Sequence, residues 1–251
     1  MWPKACQQTT RAVSICVMVI VQPFLGSVKQ YIEAAPFAGR SFALPERCPE
    51  CGAVDSLIRW GTYTRWVCQG PVAHRIRVQR IFCQACRRTH SLPPDFVHPY
   101  RHYTTDLLQR TIFLYLVAGI GWRRLLQQLP GLPRSTARAW VEAFAWGAER
   151  LLEAVTGQVM QLAPWSEPVA PTLPAHLARI PDESKRRRLE RAFQFWLLAE
   201  HLYAQVKARA VRLHFQVEQL FRFLLHWLQS LARPPRLVYV PAPWPASNGP
   251  S

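Results

Sequence analysis

The sequence predicts an α+β fold in which a small β-sheet closed by cysteines is followed by a helical bundle and a long C-terminal helix. Three observations predict it. Two Cys-x-x-Cys pairs, Cys48/Cys51 and Cys83/Cys86, bracket a stretch rich in β-branched and aromatic residues, as expected of strands that deliver four thiolates to one tetrahedral metal ion. Between Thr104 and Leu152, apolar residues recur at helical spacing with interruptions at Gly119, Gly121 and Pro130-Gly131. From Ser184 to Ala232 there is neither Pro nor Gly, and apolar residues recur at alternating intervals of three and four.

Whole-chain composition narrows the partners. The 251 residues carry a net charge of +16, with 27 Arg against 4 Lys, so the basic surface consists of planar guanidinium forks suited to phosphate. Nucleic acid is the expected partner, and neither a membrane nor a small-molecule substrate is expected. The 22 prolines favour several pieces joined by stiff connectors. Of the seven cysteines, the two pairs leave Cys6, Cys16 and Cys68 as an odd remainder and not a disulfide framework, which points to a reducing compartment, the cytoplasm.

The chain opens with an uncharged run, Ala12 to Val28, in which Val13, Ile15, Val17, Val19 and Val21 alternate with other residues. Period two reads as a half-buried strand in preference to a targeting segment. Lys29 to Ala35 reads as a short helix ended by Pro36 and Gly39. In the first cysteine turn, Pro49 fixes φ and Gly52 supplies a positive φ. Ser56–Trp60 and Thr62–Cys68, around Gly61, read as a hairpin. His74 to Phe82 is the best-patterned strand, with Ile76, Val78, Arg80 and Phe82 on one face and Arg75, Arg77 and Gln79 on the other. It leads into the second cysteine turn, where Arg87 stands in place of a glycine. His90 and Cys68 are the minor candidates for ligands.

Leu92 to Tyr100 reads as an extended connector with three prolines. Thr104 or Thr105 then caps a helix running to Leu116. A second helix, Trp122 to Leu129, and a third, capped by Ser135 and passing through Trp140, Phe144 and Leu152, are joined by Leu129–Pro133 in the manner of a helix-turn-helix. In that motif the third helix enters the major groove, so Arg134, Ser135, Thr136 and Arg138 would read bases, while Arg75, Arg77, Arg123 and Arg124 would position phosphates. A Pro-rich linker is expected from Gln158 to Asp182, then one continuous helix with an apolar seam including Leu189, Trp196, Tyr203, Leu220 and Leu224, then a disordered tail from Pro234. The seam suggests a coiled coil joining two copies, or a helical hairpin, and the run Lys185–Arg188 reads as a solvated basic cap.

Several segments carry a resemblance. Phe42–Gly52, Ile76–Cys86, Leu92–Phe96, Pro99–Tyr103 and Arg134–Trp140 together resemble a bacterial family catalogued as a domain of unknown function, and are similar to the N-terminal DNA-binding regions of insertion-sequence transposases. The resemblance spans about Tyr31 to Leu152 and implies a zinc ribbon with structural Zn2+ at Cys48, Cys51, Cys83 and Cys86. It does not extend to a nuclease. Such transposases cut with three carboxylates holding two metal ions on a sheet, whereas Glu153, Glu167, Asp182, Glu183, Glu190, Glu200 and Glu218 fall on a linker or a helix.

The expected organisation is an N-terminal strand and short helix (1–46), a zinc ribbon (47–100), a helix-turn-helix-like domain (101–157), a linker (158–183), a long amphipathic helix (184–233) and a tail (234–251). The expected function is zinc-dependent DNA binding, transposase-related but without a catalytic domain and without enzyme activity. The alternative is a protein-interaction adaptor that uses the ribbon as scaffold and the C-terminal helix for docking or dimerisation.

Overall fold

The structure, a computed structural model, describes residues 19–24, 26–34, 43–99, 101–162, 172–209 and 219–229. Most of the expected N-terminal strand, Pro36 and Gly39, Cys6 and Cys16, the middle of the Pro-rich linker and the tail lie outside the described residues. The chain divides into two compact units, Met1–Leu107 and Leu108–Ser251.

The first unit is built on a three-stranded antiparallel sheet in the order β1-β2-β3, with β1 Leu57–Gln69, β2 Val72–Cys83 and β3 Thr89–Leu92. The hairpin expected around Gly61 is instead one long strand. Gln69 pairs with Val72, so the chain turns at Gly70 (φ 60) and Pro71, with glycine at the first central position as two-residue hairpins favour. Gly61 (φ 86) sits in a bulge where the register shifts between Arg59 and Thr62. The Gln79 amide fills that bulge, donating to the Gly61 carbonyl at 2.7 Å and the Arg80 carbonyl at 2.6 Å. Glycine punctuates a turn and a bulge alike, because both need positive φ.

Helix α1 (Val28–Glu33) opens with a capping box. The Gln30 N–H donates to Ser27 Oγ at 3.3 Å, and the Ser27 N–H donates to Gln30 Oε1 at 2.7 Å. It buries Val28 and Tyr31 against Val67, Ile76, Val78, Phe96 and Val97, and the Tyr31 hydroxyl donates to the Arg77 carbonyl at 2.8 Å. A second cluster, Cys48, Leu57, Ile81, Cys83 and Leu92, gathers at the metal end. Because Ile76 and Val78 alternate in phase against Ile81 and Cys83, the two clusters lie on opposite faces of β2. Each covers only part of the sheet. Arg80, expected on the packed face, is therefore exposed, and Gln79, expected on the charged face, is buried. Val19 and Gln22 bridge to Ser91 and Pro94, so the described end of the expected N-terminal strand runs beside β3.

The helices that follow are α2 (Thr105–Leu116), α3 (Trp122–Gln128), α4 (Arg134–Leu162), α5 (Ala175–Ala178), α6 (Glu183–Arg209) and α7 (Leu220–Gln229). Of the two candidate caps, Thr104 caps α2, its Oγ1 accepting from the Leu107 N–H at 3.4 Å. Ser135 is no cap, because α4 already begins at Arg134, behind Pro133, whose carbonyl accepts from the Ala137 N–H at 3.0 Å. Gln158 to Leu162, expected in the linker, is the last part of α4.

The core of the second unit is aromatic. Phe144 packs on Phe195 and Phe221 at 5.7 and 5.4 Å between centroids, and Trp196 lies 5.5 Å from Phe221. Lys185 pairs with Glu142 at 2.9 Å, Arg188 stacks on Trp146 at 3.5 Å and Arg191 pairs with Glu149. The near-constant offset shows α4 and α6 side by side in the same direction, one on each side of the Pro-rich segment. The basic run at 185–188 is thus partly engaged by α4. Tyr203 and Phe223 lie 5.0 Å apart, whereas 20 residues of unbroken helix span about 30 Å. The expected continuous helix is therefore two helices folded back on each other. Leu189, Trp196, Tyr203, Leu220 and Leu224 of the expected seam are buried.

Candidate metal centre

Two near-identical turns bring four sulfurs together. In the first, the Gly52 N–H donates to the Cys48 carbonyl at 2.8 Å and the Cys48 N–H to the Ala53 carbonyl at 2.9 Å. In the second, the Arg87 N–H donates to the Cys83 carbonyl at 2.9 Å and the Cys83 N–H to the Arg88 carbonyl at 2.9 Å. Gly52 has φ 73 and Arg87 φ 60, so the arginine noted in place of a glycine adopts the glycine's conformation. Non-glycine residues meet a cost of about 1–2 kcal/mol there; closing the second turn offsets it.

The sulfurs of Cys48, Cys51, Cys83 and Cys86 all lie within 4.8 Å of one another. Cys48 Sγ is 3.8 Å from Cys86 Sγ, and Cys51 Sγ is 3.7 Å from Cys83 Sγ. A regular tetrahedron with metal–sulfur bonds of about 2.3 Å has edges of about 3.8 Å. Two of the six edges match that value and all lie within 4.8 Å, so the four cysteines could hold a metal ion.

Hydrogen bonds cross between the turns. Ser56, which follows the first pair, places Oγ 3.3 Å from Cys83 Sγ; His90, which follows the second, places Nε2 3.4 Å from Cys48 Sγ. His90 is fully buried and lies against one sulfur of the cluster, outside the group of four that could hold a metal. Its Nδ1 is buried without a partner, which favours the tautomer with the proton on Nε2, aimed at sulfur. The Cys86 backbone N–H, then the Ser56 hydroxyl, draw the Cys83 thiol down to about 6, while burial pushes Cys86 up to about 12 and raises Cys48 as well. One thiolate forms readily; four together need a cation.

Cys68, expected to be unpaired, is disulfide-bonded and 1 % exposed in β1, while the four clustered cysteines are free thiols. The sequence carried no signal for this, since its remaining cysteines are distant along the chain.

The residues expected to contact DNA fall in both units. Arg75 and Arg77 are exposed on β2 in the first unit. In the second, Arg123 and Arg124 open α3, and Arg134, Ser135 and Arg138 are exposed on the first turns of α4, with Thr136 half-buried. Trp122, Arg138 and Lys185 line one cleft, which brings the starts of α3, α4 and α6 together. Trp60 and Arg87, exposed in the first unit, were not among the expected contact residues. From Ser56 to Pro94 the chain has seven arginines and not one Asp, Glu or Lys.

Among the described residues no helix is long and apolar enough to cross a membrane. No curated protein and no solved structure matches the chain. The family model for a domain of unknown function (DUF6431) matches residues 48–114, from the first cysteine of the metal centre into α2.

Proposed function

We propose that this chain is a DNA-binding protein whose arginine-rich sheet is ordered by structural Zn2+ at Cys48, Cys51, Cys83 and Cys86, a zinc ribbon followed by a helix-turn-helix. Zinc is the reading for a closed four-thiolate tetrahedron. Its binding free energy, roughly 10–16 kcal/mol in small zinc domains, would supply stability that a sheet only partly covered on each face lacks.

The observation that carries the DNA reading is the absence of carboxylates between Asp55 and Asp95. Among the described residues, Arg75, Arg77, Arg80, Arg87 and Arg88 are exposed and none pairs with a carboxylate. Uncompensated guanidinium groups at this density fit a polyanion. Arg123, Arg124, Arg134 and Arg138 add phosphate and base contacts from α3 and α4. The apolar faces of α6 and α7 are spent in their own core, so DNA is favoured over a docked protein or a second copy. The transposase-like part of this reading is DNA binding without cutting, and it rests on the resemblance of the sequence segments alone. Four free thiols favour the cytoplasm, and the Cys68 disulfide is the observation on the other side.

The test is anisotropy of a labelled duplex between about 50 and 200 mM salt, where each lost phosphate contact lowers the log–log slope by about 0.9. Arg77→Ala should weaken all duplexes alike and flatten the slope, while Arg138→Ala should relax sequence preference. Binding indifferent to salt would refute the reading.

A further inference from the structure

On the face of β2 that carries Ile76 and Val78, the cover supplied by α1 ends at Val78. The next two residues on that face are Arg80, exposed, and Phe82, half-buried. Trp60, carried outward by the bulge at Gly61, is 56 % exposed, with its ring 5.0 Å from that of Phe82 at 31°. Arg87 reaches in from the second cysteine turn to 5.4 Å from the Phe82 ring, and Arg80 lies 5.1 Å from the Tyr63 ring. An indole left this exposed keeps most of its apolar area in water, and arginines over half-buried rings beside it, on a carboxylate-free surface, match the chemistry of stacked bases on a charged backbone.

We propose that Trp60, Phe82, Arg80 and Arg87 form a stacking platform for the unpaired bases of single-stranded DNA. The proposal rests on the nucleic-acid reading above and adds the strand state. Duplex DNA keeps its base faces stacked inside, so only an open strand or a frayed end offers them to Trp60. The guanidinium of Arg87 lies over the Phe82 ring and that of Arg80 over the neighbouring Tyr63 ring, so both stand beside the platform to hold phosphates. The metal centre packs against the opposite face of the same strand end through Ile81 and Cys83, so the clamp backs the platform.

The experiment uses the full, metal-loaded chain and three labelled probes: oligo-dT, an abasic strand of equal length and charge, and a hairpin duplex. Oligo-dT should bind more tightly than the abasic strand. Trp60→Ala should weaken oligo-dT by roughly 5- to 150-fold and leave the abasic strand and the duplex unchanged, with Trp60→Leu doing the same while keeping apolar bulk. Arg80→Gln should weaken all three. Equal affinity of the wild-type chain for oligo-dT and the abasic strand overturns the proposal without needing any variant. So does a change below twofold for Trp60→Ala at intact metal content. If the duplex binds and oligo-dT gains nothing over the abasic strand, the platform alone fails; if none of the probes binds, the DNA reading fails with it.

Discussion

Cys83→Ser removes the sulfur on which the centre converges. Cys83 ends β2 opposite Leu57 and is fully buried. Its sulfur faces Cys51 Sγ at 3.7 Å, Ser56 Oγ at 3.3 Å and the Cys86 N–H at 3.5 Å. A serine hydroxyl is shorter, does not ionise near neutral pH and leaves three thiolates to hold the ion. If roughly 10–16 kcal/mol of zinc binding is shared evenly among four ligands, one ligand carries about 3–4 kcal/mol. At about 4–8 °C per kcal/mol for a domain of this size, that is a fall of roughly 12–30 °C in the melting temperature of the first unit. Metal content by atomic absorption and amide exchange resolved over β1, β2 and β3 measure the two halves of the effect. Full metal content together with unchanged exchange protection would refute the reasoning.

Three further outcomes are expected. His90→Ala removes the N–H aimed at Cys48 and should lower metal affinity by about 10- to 100-fold in chelator competition, with the ligands intact. His98 is buried, its Nδ1–H donating to the Pro99 carbonyl at 2.7 Å, and burial first, then Arg101 and Arg65, hold its pKa down at about 3. Since the unfolded ring titrates near 6.5, the unfolded chain gains a proton first, and stability present above about 6.5 is lost as pH falls toward 3. Chemical denaturation across that range should show His98→Gln with a shallower dependence than wild type. Gly61→Ala meets no atom within 4 Å of the new Cβ, so its cost is the positive φ alone, about 1–2 kcal/mol, read as a lower denaturant midpoint with the sheet retained.

The clustering of the four cysteines was legible because Cys-x-x-Cys spacing fixes local geometry: each pair closes its own turn, and the strand between delivers one turn to the other. The helix start at Thr105 was legible from the cap at Thr104 and that at Trp122 from the glycine before it, whereas Ser135, read as a cap, lies inside a helix that Pro133 already opens at Arg134. What escaped the sequence depended on partners distant along the chain. Gly61 carries the same positive φ whether the chain turns or bulges, and only the pairing of Gln69 with Val72 decides. Thr89–Leu92 is too short to show a period, and pairing with β2 makes it a strand. The facing of Arg80 and Gln79 followed alternation correctly, but alternation does not say where a cover ends. In the second unit, a seam with apolar residues on more than one side was consistent with either a long helix or a hairpin, and the Tyr203–Phe223 contact selects the hairpin. The run at 185–188 carries charge, which sequence shows, and pairs with Glu142, which it does not.

In the proposed function the four-cysteine clamp orders the arginine-rich sheet that binds DNA. The most direct test of this is DNA affinity of one sample measured metal-loaded, stripped with a chelator under reducing conditions, and reloaded with Zn2+, at fixed low salt. Stripping should abolish protection of β2 and β3 and weaken DNA binding at least tenfold, and zinc should restore both. DNA affinity unchanged by stripping, while the thiols become reactive and the metal is demonstrably gone, would contradict that role of the clamp.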